Sequence, residues 1–333
     1  MQFDQLKRRE FITLLGGAAA WPLAARAAGE RVRRIGVLVP YAESDLESRA
    51  EVAAFRESIQ QLGWIDGRNV RIDVRWAGGE VGRIRTLAKE LVAVEPDLIL
   101  SRTTPVTAAL VQETRTTPIV FVNVADPVGP GFVASMARPR GNVTGFTNLE
   151  PSLGGKYVEL LRELSVKVDR IALIFNPKTA PYIEPYLVSA DRAAASFKAV
   201  VVRAAVENSA EIEAAIEELS REPGGGLIAM PDATTTSHRA LITSLAARHG
   251  LPAVYPFRFF SANGGLASYG PDTIDMYRRA AAYADRILRG EQPAELAVQA
   301  PTKFDLVVNL KAARALSLAV SPRLLALADE LIE

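Results

Sequence analysis

The feature that most constrains this chain is an alternation that runs twice along it. Short apolar, β-branched runs are separated by longer stretches whose apolar residues recur at helical spacing. Residues 35–39 (IGVLV) read as a buried strand, and 47–62 as a helix carrying Val52, Phe55, Ile59 and Leu62 on one face, ended by Gly63. Residues 70–76 (VRIDVRW) alternate as a half-buried strand does, and 81–94 return to helical spacing. A strand at 97–100, a helix at 105–114 with Thr103 or Thr104 before its Pro105, and a strand at 119–122 complete the first unit. The second unit repeats the plan: strands at 170–175, 200–203, 226–230 and 251–255, with helices at 182–197, 210–221 and 234–249 between them. Such alternation places parallel strands in a sheet with helices on both faces. Two units in tandem give an α/β protein of two doubly wound, parallel-sheet lobes with a cleft between them.

The tail is less regular. It reads as a strand at 265–269, a helix at 273–288, a short strand at 306–308, a helix at 310–316 and a last helix at 322–332. Between the units lies 118–146, a strand followed by a Gly/Pro-rich loop and a helix-like turn at 132–137. The glycines at 141 and 145 and the Gly270-Pro271 pair mark expected crossings between the lobes.

Residues 1–28 do not read as part of the fold. Lys7-Arg8-Arg9 form a basic start, 11–20 an apolar run too short to span a bilayer, and Ala25-Arg26-Ala27 a small-residue cleavage site. Arg8-Arg9-Glu10-Phe11-Ile12 matches the twin-arginine export pattern, and an ordinary secretory signal is the alternative. Either signal, with 1–27 removed, sends the chain to the periplasm or the cell exterior. The sequence contains no cysteine, which leaves no thiolate metal site, no cysteine nucleophile and no lipid-attachment cysteine. The net charge of +1, with both signs interspersed, gives no field for nucleic acid.

Ligands of open α/β sheets bind beyond the carboxyl ends of the strands. Those ends carry Tyr41; Thr103 and Thr104; the loop 123–131 with Asp126; Asn176; Asp232; and Phe257 with Arg258. Thr103-Thr104 open a helix whose N-terminus suits an anion, although a plain cap explains them as well. Asp232 is either a helix cap or a counter-charge for a ligand ammonium. Gly129-Pro130-Gly131 lacks the third glycine of a dinucleotide turn, Gly224–Gly226 precede a strand instead of following one, and no phosphate loop is present. The two histidines, His238 and His249, share one expected helix and stand in no triad or metal spacing. No catalytic residue, metal or cofactor is expected.

The runs FRESIQQLGWIDGRNVRIDVRWAGG, PIVFVNVADPVGPGFVASMARPRGNVTGF, AARHGLPAVYPFRFF, GGLASYGPD and PTKFDLVVNLKAARAL together resemble the substrate-binding proteins of bacterial ABC transporters, of the type related to tryptophan and other aromatic amino-acid binders. The resemblance implies a type I periplasmic binding-protein fold with a hinge of three crossing segments. Lobe one would comprise 32–143 with 272–298, and lobe two 144–271 with 299–333. It also implies one small carboxylate-bearing ligand, delivery to a membrane permease, and a monomer freely diffusing in the periplasm. A carboxylate pocket would fall on Thr103, Thr104 and the loop from Val124 to Asp126. The opposite lobe would offer Asn176, Asp232 and the run holding Tyr255, Phe257 and Arg258. Arg102 and Thr103 depart from the small residues of the family pattern, which implies a pocket reduced or recharged by the arginine. Two other roles use the same features: a ligand sensor for a membrane receptor, and an exported enzyme.

Overall fold

The computed structural model describes residues 31–148 and 150–333. The export-signal reading of 1–27 lies outside the described residues. The first sheet holds β1 (Arg33–Val39), β2 (Val70–Trp76), β3 (Leu98–Arg102), β4 (Ile119–Val124) and β5 (Val143–Thr147), in the order β2-β1-β3-β4-β5. Every neighbour pair in it is parallel. Parallel strands need crossovers; α1 (Leu46–Gln61), α2 (Val81–Ala93) and α3 (Thr104–Glu113) supply three of them, and residues 125–142 join β4 to β5 without a helix. One face of the sheet packs Val37, Leu98 and Leu100 against Phe55 and Ile59 of α1; the other packs Leu38 and Ile99 against Ile84, Leu91 and Leu110 of α2 and α3.

The second sheet holds β6 (Arg170–Phe175), β7 (Val200–Ala205), β8 (Gly225–Ala229), β9 (Ala253–Tyr255), β10 (Ala267–Pro271), β11 (Phe304–Asn309) and β12 (Glu330–Ile332). Its order is β12-β11-β10-β9-β8-β6-β7. β6 to β10 are parallel, whereas β11 runs antiparallel to β10. Its helices are α4 (Leu153–Leu164), α5 (Glu184–Ser196), α6 (Ser209–Ser220), α7 (Ala233–Ser237), α8 (Arg239–Arg248) and α9 (Arg258–Ala262). The helix expected at 234–249 is therefore two helices, which meet at His238.

Next along the chain, α10 (Thr273–Leu288) follows a strand of the second sheet but packs on the first. Its Met276, Tyr277, Ala280, Ala281 and Ala284 join the cluster of Phe55 and Ile59. The chain then returns through a short 3-10 turn, Pro293–Glu295, and Gln299, whose backbone bonds Gly145 and Thr147. α11 (Leu310–Ala315) and α12 (Pro322–Leu327) close the second lobe. The last helix expected over 322–332 ends at Leu327, and Glu330–Ile332 instead form the edge strand β12 beside β11. The turn at 132–137 contains no helix.

Three connections join the two sheets: the first follows β5 and begins at Asn148, the second is Asp272 between β10 and α10, and the third is 300–303 ahead of β11. Gly141 and Gly145, expected to mark a crossing, precede the first of these, since β5 still pairs with β4 in the first sheet. Gly145 belongs to β5, with φ +152°, and a Cβ there would stand 2.1 Å from the Phe121 carbonyl oxygen. This glycine serves close strand approach rather than a hinge. Among the described residues, no helix is long and apolar enough to cross a membrane.

Candidate ligand-binding cleft

The carboxyl ends of the two sheets face each other. A small cavity lies between them, lined from the first lobe by Tyr41, Thr103, Thr104, Pro105 and Asn123, and from the first crossing by Asn148. The second lobe contributes Tyr182, Asp232 and its neighbours, Thr236 and Phe257. Its volume is about 10 Å³, room for about one water molecule. Larger hollows of about 650 and 860 Å³ open beside α4, but exposed groups such as Lys156 and Glu159 line them. The cleft is the better candidate because of what its lining lacks. Thr103 Oγ1, Asn123 Oδ1 and Asn148 Oδ1 are buried there without a hydrogen-bond partner. Each such atom costs about 1–3 kcal/mol when left unmet. Thr103 and Asn123 also hold φ of +73° and +61°, left-handed values that non-glycine residues adopt at a cost and that cluster at binding sites.

The lobes touch at the rim. Tyr41 of the first lobe and Thr236 of the second line the cavity together, and burial pushes the Tyr41 phenol up to about 12 against the opposing pull of Arg102. Asp45, the N-cap of α1, accepts from Ser48 N–H at 2.8 Å and pairs with Arg239, the first residue of α8. Burial raises the Asp45 carboxyl, but the Ser48 and Arg239 bonds outweigh it and hold the group below its ordinary value. A depressed folded pKa stabilises above the unfolded value and stops doing so as pH falls through the folded one. The Asp45→Asn variant should therefore be less stable than wild type by a constant margin above about pH 4, the unfolded carboxyl value. Urea midpoints measured from pH 6 to pH 2 should show that margin closing below it. A margin independent of pH would remove the charge from the account.

Among the residues singled out by sequence, Tyr41, Thr103, Thr104, Asp232 and Phe257 line the cavity, and the others stand behind or away from it. Thr103 sits at the N-cap position of α3 without making a cap bond, and Thr104 Oγ1 accepts from Ala125 N–H at 3.3 Å. That bond occupies one donor of the loop expected to hold an anion. Val124 is fully buried, its carbonyl accepting from Asn148 N–H and the Thr147 hydroxyl. Asp126 caps its own turn through Val128 and Gly129 N–H. Tyr255 is buried against Phe260, ring centroids 5.0 Å apart. Arg258 points outward to a two-point pair with Glu330 at 2.6 and 2.7 Å.

Asp232 is the one carboxylate in the lining. One oxygen accepts from Thr179; the other accepts from Asn176 N–H at 3.0 Å and Thr235 N–H at 3.4 Å. It caps α7 and ties it to Asn176, whose amide donates to Thr234. Burial pushes its carboxyl above the ordinary range against these bonds. Arg102 does not recharge the cavity. Its side chain turns beneath Tyr41 to Glu51, 2.7 Å away, and both are almost fully buried. No group of side chains that could hold a metal occurs among the described residues.

The family model described as ABC transporter substrate binding protein matches residues 34–332. The chain belongs to this family. A tyrosine-binding protein of Clostridioides difficile is 25% identical over 264 residues, covering 79% of this chain and 75% of that protein. A conserved domain protein of Vibrio cholerae superposes with a TM-score of 0.83 at 27% identity, over 90% of this chain and 100% of the other. An ABC domain from Streptococcus pneumoniae in complex with L-Trp gives 0.82 at 24% identity, over 90% and 99%. This substrate-binding protein thus has the type I periplasmic binding-protein fold, and its cleft is where that fold presents strand ends from both lobes. Sequence reasoning missed Asn148, Tyr182 and Thr236 as lining residues. Asn123, which also lines the cavity, opens the strand-end loop 123–131 already singled out in the sequence.

Proposed function

We propose that this substrate-binding protein is the exported, periplasmic component of an ABC importer. In this reading it holds a small carboxylate-bearing solute of the amino-acid or aromatic-acid class between its lobes without catalysis, and passes it to a membrane permease. The observation that carries the reading is the set of buried, unpartnered atoms of Thr103, Asn123 and Asn148 around one inter-lobe cavity. Polar groups placed this way gain their missing hydrogen bonds from a ligand. Thr103 and the start of α3 suit a carboxylate; the two asparagine oxygens and Asp232 suit an ammonium; Tyr41, Tyr182 and Phe257 suit an apolar body. The tyrosine-binding relative and the L-Trp complex support the amino-acid class. A cavity of about 10 Å³ admits such a solute only when the lobes part, and three crossing segments permit a hinge.

The test is a thermal-shift screen of the chain without residues 1–27 against L-tyrosine, L-tryptophan, the other amino acids, aromatic acids and small carboxylates. A ligand at about a hundred times its Kd adds roughly 2.7 kcal/mol. If no compound raises the melting temperature, the solute class is wrong.

A further inference from the structure

Arg102 is among the largest fully buried side chains of the molecule, and it sits one residue before the cleft threonines. Its Nη2 donates to Glu51 at 2.7 Å and its Nη1 points to Ser48 Oγ at 3.4 Å. Ser48 and Glu51 stand three apart on α1, so they meet the planar guanidinium from one helix face. The guanidinium carbon lies 4.4 Å from the centroid of the Tyr41 ring. Nε has no hydrogen-bond partner. The group is thus fixed at one end by α1, while its face covers an aromatic ring. A buried ion pair of this kind confers little net stability over an apolar pair of similar volume. What an apolar pair lacks is a planar cation to pin the ring from behind.

Tyr41 is where that matters. It lines the cavity together with Thr236, Asp232 and Phe257 of the second lobe. The same first turn of α1 carries Asp45, whose partner Arg239 also belongs to the second lobe. α1, which carries Glu51, packs along α10, the helix that follows the second crossing. The ion pair therefore joins the ring at the cleft to the helix whose N-cap meets the second lobe at the rim.

We infer that Arg102, anchored by Glu51, is a positioning residue: it holds the Tyr41 ring in the orientation from which the first lobe contacts the second and covers the ligand site. The lobe contact does not depend on the ligand assignment above, whereas the effect on affinity rests on it.

The chain has no cysteine, so Glu57→Cys on α1 and Glu213→Cys on α6, both exposed, give one clean pair of spin-label sites on opposite lobes. In the labelled full chain, the double variant E51Q/R102M should shift the label-to-label distances to longer values, and Y41L, which removes the ring, should do the same. Because Arg102 acts through the Tyr41 ring, adding E51Q/R102M to Y41L should lengthen the distances no further. R102K, which keeps the charge without the planar fork, should fall between wild type and the double variant; it serves as the test if the double variant fails to fold. Distances unchanged in E51Q/R102M or R102K, or effects that add in full to those of Y41L, would overturn the inference. Titration with L-tyrosine and L-tryptophan supplies the second readout. If wild type binds either, E51Q/R102M should weaken it about tenfold, and Y41L should abolish that difference. If wild type binds neither, the ligand class falls, and the distance measurements still decide the role of Arg102.

Discussion

Arg102→Met by itself is expected to destabilise the protein by about 3–5 kcal/mol, the range for removing one partner of a buried ion pair. The variant leaves the Glu51 carboxylate almost fully buried with no cation beside it. Glu51 must then either stay charged in an apolar wall or take up a proton, and burial already pushes its carboxyl upward. Adding Glu51→Gln should recover most of the loss, because the orphaned charge is gone and methionine fills a similar space. Urea unfolding of the two variants against wild type measures both steps through the midpoint at constant slope. A single variant within about 1 kcal/mol of wild type would show that Arg102 and Glu51 do not behave as a buried ion pair.

Asp232→Ala is expected to cost about 3 kcal/mol of stability. The carboxylate accepts from two backbone N–H groups, Asn176 and Thr235, and from the Thr179 hydroxyl. Truncation leaves buried donors without acceptors, at about 1–3 kcal/mol each, and removes the cap of α7. Asp232→Asn, whose amide oxygen still accepts, should lose less. Binding separates the second role of this residue from the first. With L-tyrosine as the probe, Asp232→Ala is expected to weaken affinity by about 1.5–3 kcal/mol, the range for a hydrogen bond to a charged group. Unchanged affinity in a folded variant would make Asp232 a cap alone and point to a plain carboxylate or neutral solute.

Much of this was legible along the chain. Short β-branched runs between amphipathic stretches specify parallel α/β units, because period and length are local properties that no distant residue needs to supply. The strand-end rule found Tyr41, Thr103, Thr104, Asp232 and Phe257, since a parallel sheet places all its carboxyl ends along one edge. Val124 and Arg258, from the same rule, and Tyr255, from the family resemblance, lie away from the cavity. A strand end has two faces and a depth, and these three side chains are committed to the core or to Glu330.

Arg102 shows where the boundary lies. In LILSR the alternation of side chains puts Arg102 on the face of Leu98 and Leu100, which pack against α1, and so away from the cavity. That direction was readable from the period of two. Its partner was not, because Glu51 lies 51 residues earlier and only the crossover of α1 brings it beneath the strand. The same holds for Asn148 and Tyr182, which lie outside both sheets, on a crossing and on the approach to α5. It holds for Asp45 and Arg239, 194 residues apart. Local pattern sets which elements form and which way their side chains alternate; contacts between elements depend on how the sheets and crossings fold back on one another, and only the tertiary structure decides them.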